Sequence, residues 1–259
     1  MAAETETPPG PLLLADWCAM RAALQEQLEA RPLTPEGVAA LVVLAHRRPL
    51  SAAALAEAMG ISKAKMTRLV RHLSQLDLVA ERIGMRDRRQ SFFRVAPRGE
   101  NVLFELGLVL GREELEAWAA GLVALHHACR AAKAVGHRQL SEHQCALLMT
   151  CAASAAADTT PAAEAQADAL AATADAAPNP AATPATDGVA LTMADVVAQL
   201  VVGQSTVSMA VRVLRRDGLL ETRIAPSDRR RETVELTSRG RVVASEALKA
   251  WNQSTTISV

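Results

Sequence analysis

The chain has 259 residues, half of them hydrophobic, with 28 basic and 28 acidic side chains and a formal net charge of zero. That length allows one or two domains with real cores, and the charge balance excludes a protein that is basic all over and coats nucleic acid indiscriminately. No run of about 18 apolar residues suggests a membrane span, and the acidic, Pro-rich start Met1–Gly10 is unlike a secretory signal, so a cytosolic protein is expected.

Leu12–Ala30 is predicted as a lead helix, and Leu33-Thr34-Pro35-Glu36 has the form of a capped helix start. Leu50–Glu57 reads Leu-Ser-Ala-Ala-Ala-Leu-Ala-Glu, in which the Ser is an N-cap signal for a helix ending near Met59-Gly60. Ser62 is placed to cap a second helix. There Met66, Leu69, Val70 and Leu73 form one apolar stripe, and Lys63, Lys65, Arg68 and Arg71 point mostly elsewhere. Two short helices joined by a Gly-containing turn, the second one basic, give the helix-turn-helix pattern. Two β-like runs, Leu78–Ile83 and Ser91–Val95, then flank the basic loop Gly84–Gln90 and make a wing.

Helices are expected at Arg98–Leu110 and Glu113–Val135, with another capped start at Leu140-Ser141-Glu142-His143. The stretch from about 155 to 188 is Ala, Thr, Pro and Asp with five acids and no base. It holds too little large apolar surface to offset its ordering entropy and is predicted as a disordered loop. After it Thr192 caps a helix to Leu200, and Ser205 lies near the start of a helix reaching Arg216 and stopped by Gly218. Leu219–Ile224 and Glu232–Leu236 flank a second wing loop, Ala225–Arg231.

These elements repeat. Leu50–Leu106 aligns without a gap to Leu191–Ala247 at a shift of 141, with 15 identities in 57 positions. Asp87-Arg88-Arg89 recurs as Asp228-Arg229-Arg230, and Arg98-Gly99 as Arg239-Gly240. Residues 63–98 hold ten Lys/Arg against three acids, and 204–241 hold nine Arg against five. Positive charge is therefore focused on two equivalent faces, as phosphate contact requires.

Asp-Arg-Arg, a short strand, Leu-Thr-x-x-Gly and a long helix resemble the MarR family of bacterial transcription regulators. The second copy has this as Asp228-Arg229-Arg230 and Leu236-Thr237-Ser238-Arg239-Gly240; the first has Val95-Ala96-Pro97-Arg98-Gly99 in place of the second motif. The resemblance implies a mainly α fold with small β wings (α+β). Two winged helix-turn-helix domains, 12–111 and 112–252, would be joined by a helical pseudo-dimer interface. In that family, terminal helices of two subunits interlock; here Leu12–Ala30, Arg98–Val135 and Ala244–Trp251 would do so within one chain, as a monomeric pseudo-dimer or a homodimer. The resemblance further implies a double-stranded DNA partner at a promoter operator, a repressor, and a small aromatic or phenolic effector that releases it.

The reading helix of the first copy offers Ser62, Lys63, Lys65, Thr67, Arg68 and Arg71, and that of the second Gln204, Ser205, Thr206, Ser208, Met209 and Arg212. Arg and Lys suit guanine, Gln suits adenine, and Ser and Thr are permissive. The two sets differ at nearly every position, so an imperfect palindrome is expected. Met66 and Val207 are assigned to the core. Arg86, Arg88, Arg89, Arg229, Arg230 and Arg231 belong to the wings. By resemblance, one wing Arg enters the minor groove, while Asp87 and Asp228 hold the neighbouring Arg.

Four cysteines show no Cys-x-x-Cys spacing. Cys18, Cys145 and Cys151 are expected to pack as small hydrophobes rather than as a redox sensor. His126-His127, with His137 and His143, raise a metal site, but no acidic partner is spaced for one along the sequence, so structural or surface roles are expected and no metal or other cofactor. No nucleotide loop or catalytic constellation appears, and no enzyme is expected. The alternative reading is a diverged winged-helix interaction module acting on another regulator or on polymerase. The Val-Ala-Pro departure, the unlike reading helices and the acidic insertion motivate it; the focused basic charge opposes it.

Overall fold

The computed structural model describes residues 14–29, 31–47, 49–84, 90–135, 140–155, 191–225 and 228–255. The first copy runs α1 (Leu14–Leu28), α2 (Pro35–His46), β1 (Leu50–Ser51), α3 (Ala52–Ala58), α4 (Lys63–Gln75), β2 (Val79–Ile83), β3 (Ser91–Val95) and α5 (Pro97–Leu110). Then come α6 (Arg112–Ala134) and α7 (142–155). The second copy continues with β4 (Leu191–Thr192), α8 (Met193–Leu200), α9 (Gln204–Arg216), β5 (Leu220–Ala225), β6 (Asp228–Leu236) and α10 (Ser238–Thr255). The starts of β1, α3, α4, β2 and α5 recur at the sequence shift of 141 in β4, α8, α9, β5 and α10. The fold is mainly helical with two small antiparallel sheets, as expected of winged helices.

The contacts divide the chain into two compact units, residues 1–145 with 246–259, and residues 146–245. In the first, α2 is apolar along most of its length and is buried from Val38 to Leu44, as a helix hydrophobic all round must be. Trp17 donates its indole N–H to the Trp118 carbonyl at 2.9 Å, and Trp251 meets Trp17 edge-on with centroids 6.0 Å apart. Leu55, Met66 and Leu73 join this unit's core with no exposed surface; a fully buried side chain of this size contributes roughly 1.5–3 kcal/mol. The second unit has its own core of Leu191, Val196, Val207, Leu214, Leu219 and Val234.

Local chemistry explains the helix starts. Thr34, Ser51 and Ser62 are N-caps of α2, α3 and α4, each accepting a backbone N–H at 3.2 Å. Thr192 and Asp195 form a capping box at α8, and Ser141 and Gln144 exchange the equivalent pair of bonds before α7. Ser205 lies in the first turn of α9, as expected, and the helix is preceded by Gly203, which supplies no side-chain cap.

Each sheet has three strands where the sequence suggested two, in the orders β1-β3-β2 and β4-β6-β5. The added strand is a two-residue edge, with Leu50 opposite Phe93 and Leu191 opposite Val234. Strand β6 is also longer than expected. It starts at Asp228, paired with Ala225, whereas Ile224 pairs with Glu232. The backbone of Arg229, Arg230 and Arg231 thus occupies a shift of register within the strand, rather than a loop running from Ala225 to Arg231. The Ala/Pro-rich insertion lies outside the described residues, apart from Ala155 at the end of α7.

The turn inside each helix-turn-helix needs a left-handed residue. Gly60 takes it at φ 66°, and at the equivalent place Val201 takes it at φ 48°. A β-branched residue there is strained by about 1–2 kcal/mol, and Val201 is half exposed, so its side chain recovers little by burial. Val201→Gly should therefore stabilise the protein by about 1 kcal/mol, a rise of about 2–4 °C in Tm by calorimetry. Gly60→Val should lower it.

Candidate nucleic-acid interface

Helix α4 turns Met66, Val70 and Leu73 into the core. Its periodicity then leaves Ser62, Lys63, Lys65, Thr67, Arg68 and Arg71 on exposed positions. The Ser62 hydroxyl caps the helix. Thr67 Oγ1 donates to the Lys63 carbonyl at 2.9 Å and Arg68 Nε to the Ala64 carbonyl at 3.4 Å, which holds both near the helix axis. Lys65 is engaged differently, its ammonium lying 2.8 Å from Glu36 Oε1 at the start of α2.

Helix α9 buries Val207, Ala210, Val211 and Leu214. Gln204, Ser205 and Arg212 are exposed, while Thr206 and Ser208 are half-buried. Met209 stands 58 % exposed at the position Arg68 holds in the first copy, where a thioether offers apolar contact in place of charge. Both core assignments, Met66 and Val207, agree with their burial. Further arginines around α9 are tied to carboxylates: Arg215 lies 3.7 Å from Glu232, and Arg223 3.0 Å from Glu221 and 3.3 Å from Glu235.

Of the wings, the structure describes the strands. Gly84 donates its N–H to the Gln90 carbonyl at 2.7 Å, closing the mouth of the first hairpin. Arg86, Asp87, Arg88 and Arg89 lie outside the described residues, as do the side chains of Asp228, Arg229, Arg230 and Arg231.

A model of the MarR family matches residues 32–90 and again residues 157–231. The chain belongs to the MarR family. The two matched segments cover both helix-turn-helix elements, which makes this a winged-helix chain of a transcription-regulator family with two MarR-like regions. No curated protein matches it.

Beside α4 of this MarR-family chain, in the first unit, opens a groove of about 1370 Å³. Ala53 and Ala56 of α3, Lys65, His126 and Cys129 of α6, and Glu142 line it. Sequence spacing offered His126 no acidic partner, but the fold supplies one. His126 Nε2 lies 3.2 Å from Glu142 Oε1, and His126 Nδ1 3.1 Å from the Met59 carbonyl. Its neighbour His127 places Nε2 3.2 Å from the Ala58 carbonyl. The two imidazoles so cap the last carbonyls of α3, which have no partner within that short helix. Both imidazoles thus have a structural role at the end of α3. His143 accepts from Arg21 at 3.2 Å, and burial followed by the Arg21 charge pushes its pKa down. His137 lies outside the described residues.

The carboxylates here are held in their charged form. Burial alone would push Glu36 up, but the Lys65 hydrogen bond, its own backbone amide and the Lys65 charge outweigh that and bring it down. The hydrogen bond from His126 brings Glu142 down against burial.

The cysteines follow their burial. Desolvation pushes the Cys18 thiol up to about 11 and Cys151 to about 12, and Cys145 is raised by its bond to Cys129 and by burial. At pH 8 a thiol with pKa near 11 is thiolate in about one molecule in a thousand, and the thiolate is the reactive form. Alkylation of the folded protein at pH 8 should thus show one fast site, at half-exposed Cys129 on the groove wall, with Cys18, Cys145 and Cys151 reacting only on unfolding. Mass spectrometry of Cys129→Ser should show the fast site gone.

Proposed function

We propose that the chain is a sequence-specific double-stranded DNA-binding repressor that reads an imperfect palindrome with two winged helices of one polypeptide. The observation that carries this reading is the pair of equivalent helices, α4 and α9, each with one face sunk in a core and the other offering donors to solvent. The N-terminal half of such a helix enters the major groove. Lys63 and Arg68 suit guanine and Gln204 suits adenine, so the half-sites are unlike. Arg71 and Arg212, identical at the shift of 141 and exposed, contact phosphate. The wing arginines add minor-groove and backbone contacts. The regulator acts as a single chain or as a homodimer. Such a regulator works in the bacterial cytoplasm at a promoter.

The groove beside α4 supports the reading of a small-molecule effector. Its alanine-rich wall from α3 and its rim of Lys63, Arg130 and Lys133 suit a small aromatic or phenolic anion, whose binding would shift α4 and release DNA.

Selection of bound duplexes from a random pool with the full-length protein tests the reading. It should enrich two unlike half-sites with centres about one helical turn, ~10 bp, apart. Enrichment of a single half-site would mean that one lobe alone reads bases. No enrichment, with co-elution of a partner protein, would favour an interaction module instead. On the selected duplex, Arg71→Ala and Arg212→Ala should each flatten the slope of log affinity against log salt by about 0.9. Replacing Arg88 and Arg89, or Arg229 and Arg230, by Ala should cost about tenfold or more in affinity at moderate salt; unchanged affinity would remove the wings from the interface.

A further inference from the structure

Three helices of the first unit bring ligand atoms of Glu36, His126 and Glu142 within 4.8 Å of one another. Glu36 sits in the first turn of α2, His126 midway along α6, and Glu142 in the first turn of α7. His126 is nine-tenths buried. Its Nδ1 faces the Met59 carbonyl at 3.1 Å. A carbonyl only accepts, so Nδ1 carries the hydrogen, and in the neutral ring Nε2 is left with its lone pair. That lone pair points toward Glu142 Oε1, 3.2 Å away. Two electron-rich atoms at this distance need a cation between them: either the proton of a charged imidazole, which then makes the hydrogen bond to Glu142, or a metal ion in its place.

The arrangement has the parts of a divalent metal centre. A metal-bound imidazole usually donates its other N–H to a carbonyl or carboxylate, which fixes ring and tautomer; Met59 does so here. Ligands around tetrahedral zinc at about 2.0–2.1 Å sit about 3.3 Å apart, close to the 3.2 Å between Nε2 and Oε1. Two carboxylates match the charge of one dication, and the groove that opens on the site leaves room for water as a further ligand. The third ligand, Glu36, is held by the Lys65 ammonium at 2.8 Å. A metal taking Glu36 sets a dication beside the Lys65 ammonium and repels it, and Lys65 belongs to the exposed face of α4.

We propose that Glu36, His126 and Glu142 form a site for a divalent transition cation of the zinc type, and that metal and Lys65 compete for Glu36. Metal binding frees a lysine of the reading helix for a DNA phosphate, so the cation strengthens DNA binding. This second half rests on the DNA-reading function proposed above. The metal titration does not, so failure of one is distinguishable from failure of the other.

The test starts from full-length protein stripped with a chelator. Zinc titrated against a chromogenic competitor should fill one site per chain, and cobalt(II) in its place should give d–d absorption without a thiolate charge-transfer band, since the ligands are nitrogen and oxygen. Glu142→Gln and His126→Asn should weaken zinc binding about tenfold or more, as removing a ligand does. Lys65→Met alters an exposed side chain and should raise zinc affinity severalfold, because the competitor is gone. Absence of stoichiometric binding, cysteine ligation in the cobalt spectrum, or a Lys65→Met protein that binds zinc no tighter would overturn the site. Zinc should also steepen the salt dependence of binding to an arbitrary duplex by about 0.9, and this gain should vanish in Lys65→Met. A zinc effect of equal size in that variant, or no zinc effect on a wild-type protein that does bind DNA, would overturn the coupling.

Discussion

In each copy a single leucine joins three elements, and the winged helix hangs on it. The Leu78 amide closes the end of α4 by donating to the Leu73 carbonyl at 3.0 Å, while the Leu78 carbonyl accepts the Ala96 amide at the start of α5. Leu219 repeats both bonds, to Leu214 and from Thr237. The next residue in each case opens the first long strand of the wing. The following helix then packs so tightly on this leucine that a Cβ on Gly99 or Gly240 would collide with its carbonyl oxygen. Reading helix, wing and outgoing helix thus keep one fixed geometry in both copies. The glycine of the Arg-Gly motif follows from that close approach and needs no contact with DNA to explain it. The left-handed residue just before the leucine, Asp77 in one copy and Gly218 in the other, turns the chain at the same place. Asp reaches this conformation more readily than most side chains, which is why the repeat tolerates the exchange.

The same junction explains how the first copy manages without a threonine. In the second copy the Thr237 hydroxyl accepts the Gly240 amide at 3.0 Å and donates to the Gly218 carbonyl at 2.8 Å. Ala96 makes neither bond. Pro97 in the first turn compensates in part, since its φ is already helical and it brings no orphan N–H. Val-Ala-Pro and Leu-Thr-Ser are therefore two local solutions to one backbone problem, and the departure from the motif is no sign that the first copy has lost its fold.

What could be read from the chain follows the range of the interactions. The caps at Thr34, Ser51, Ser62 and Thr192, the buried stripe of α4 and the wing strands β2 and β3 are written in residues a few positions apart, where periodicity and capping chemistry operate. The edge strands β1 and β4 have two residues each and show no alternation. Their pairing depends on β3 and β6, some forty residues away. Val201 looks like part of an apolar run, and its left-handed φ appears only through the repeat with Gly60. The polar cluster is the clearest case. His126 and Glu142 are 16 residues apart, and Lys65 and Glu36 29 apart, on four different helices. No spacing rule within one helix could bring them together; the packing of α2, α4, α6 and α7 does.

That cluster also breaks the likeness of the two copies in a way a symmetric dimer could not. In a homodimer the two reading helices are the same sequence and must respond alike. Here Lys65 is replaced by Thr206 at the shift of 141, and a hydroxyl cannot take the place of an ammonium in an ion pair. Glu36 aligns, through the helix starts, with His143, whose partner is Arg21 of α1 rather than a residue of a reading helix. The device that ties a reading helix to α2 therefore exists in one copy. Under the function and the metal site proposed above, a signal received at Glu36, His126 or Glu142 would act on α4 through Lys65, and α9 has no equivalent lysine to release. Joining two winged helices in one chain lets each diverge, so that in the proposed DNA reader α9 would be a constant anchor while α4 would carry the variable part of the affinity.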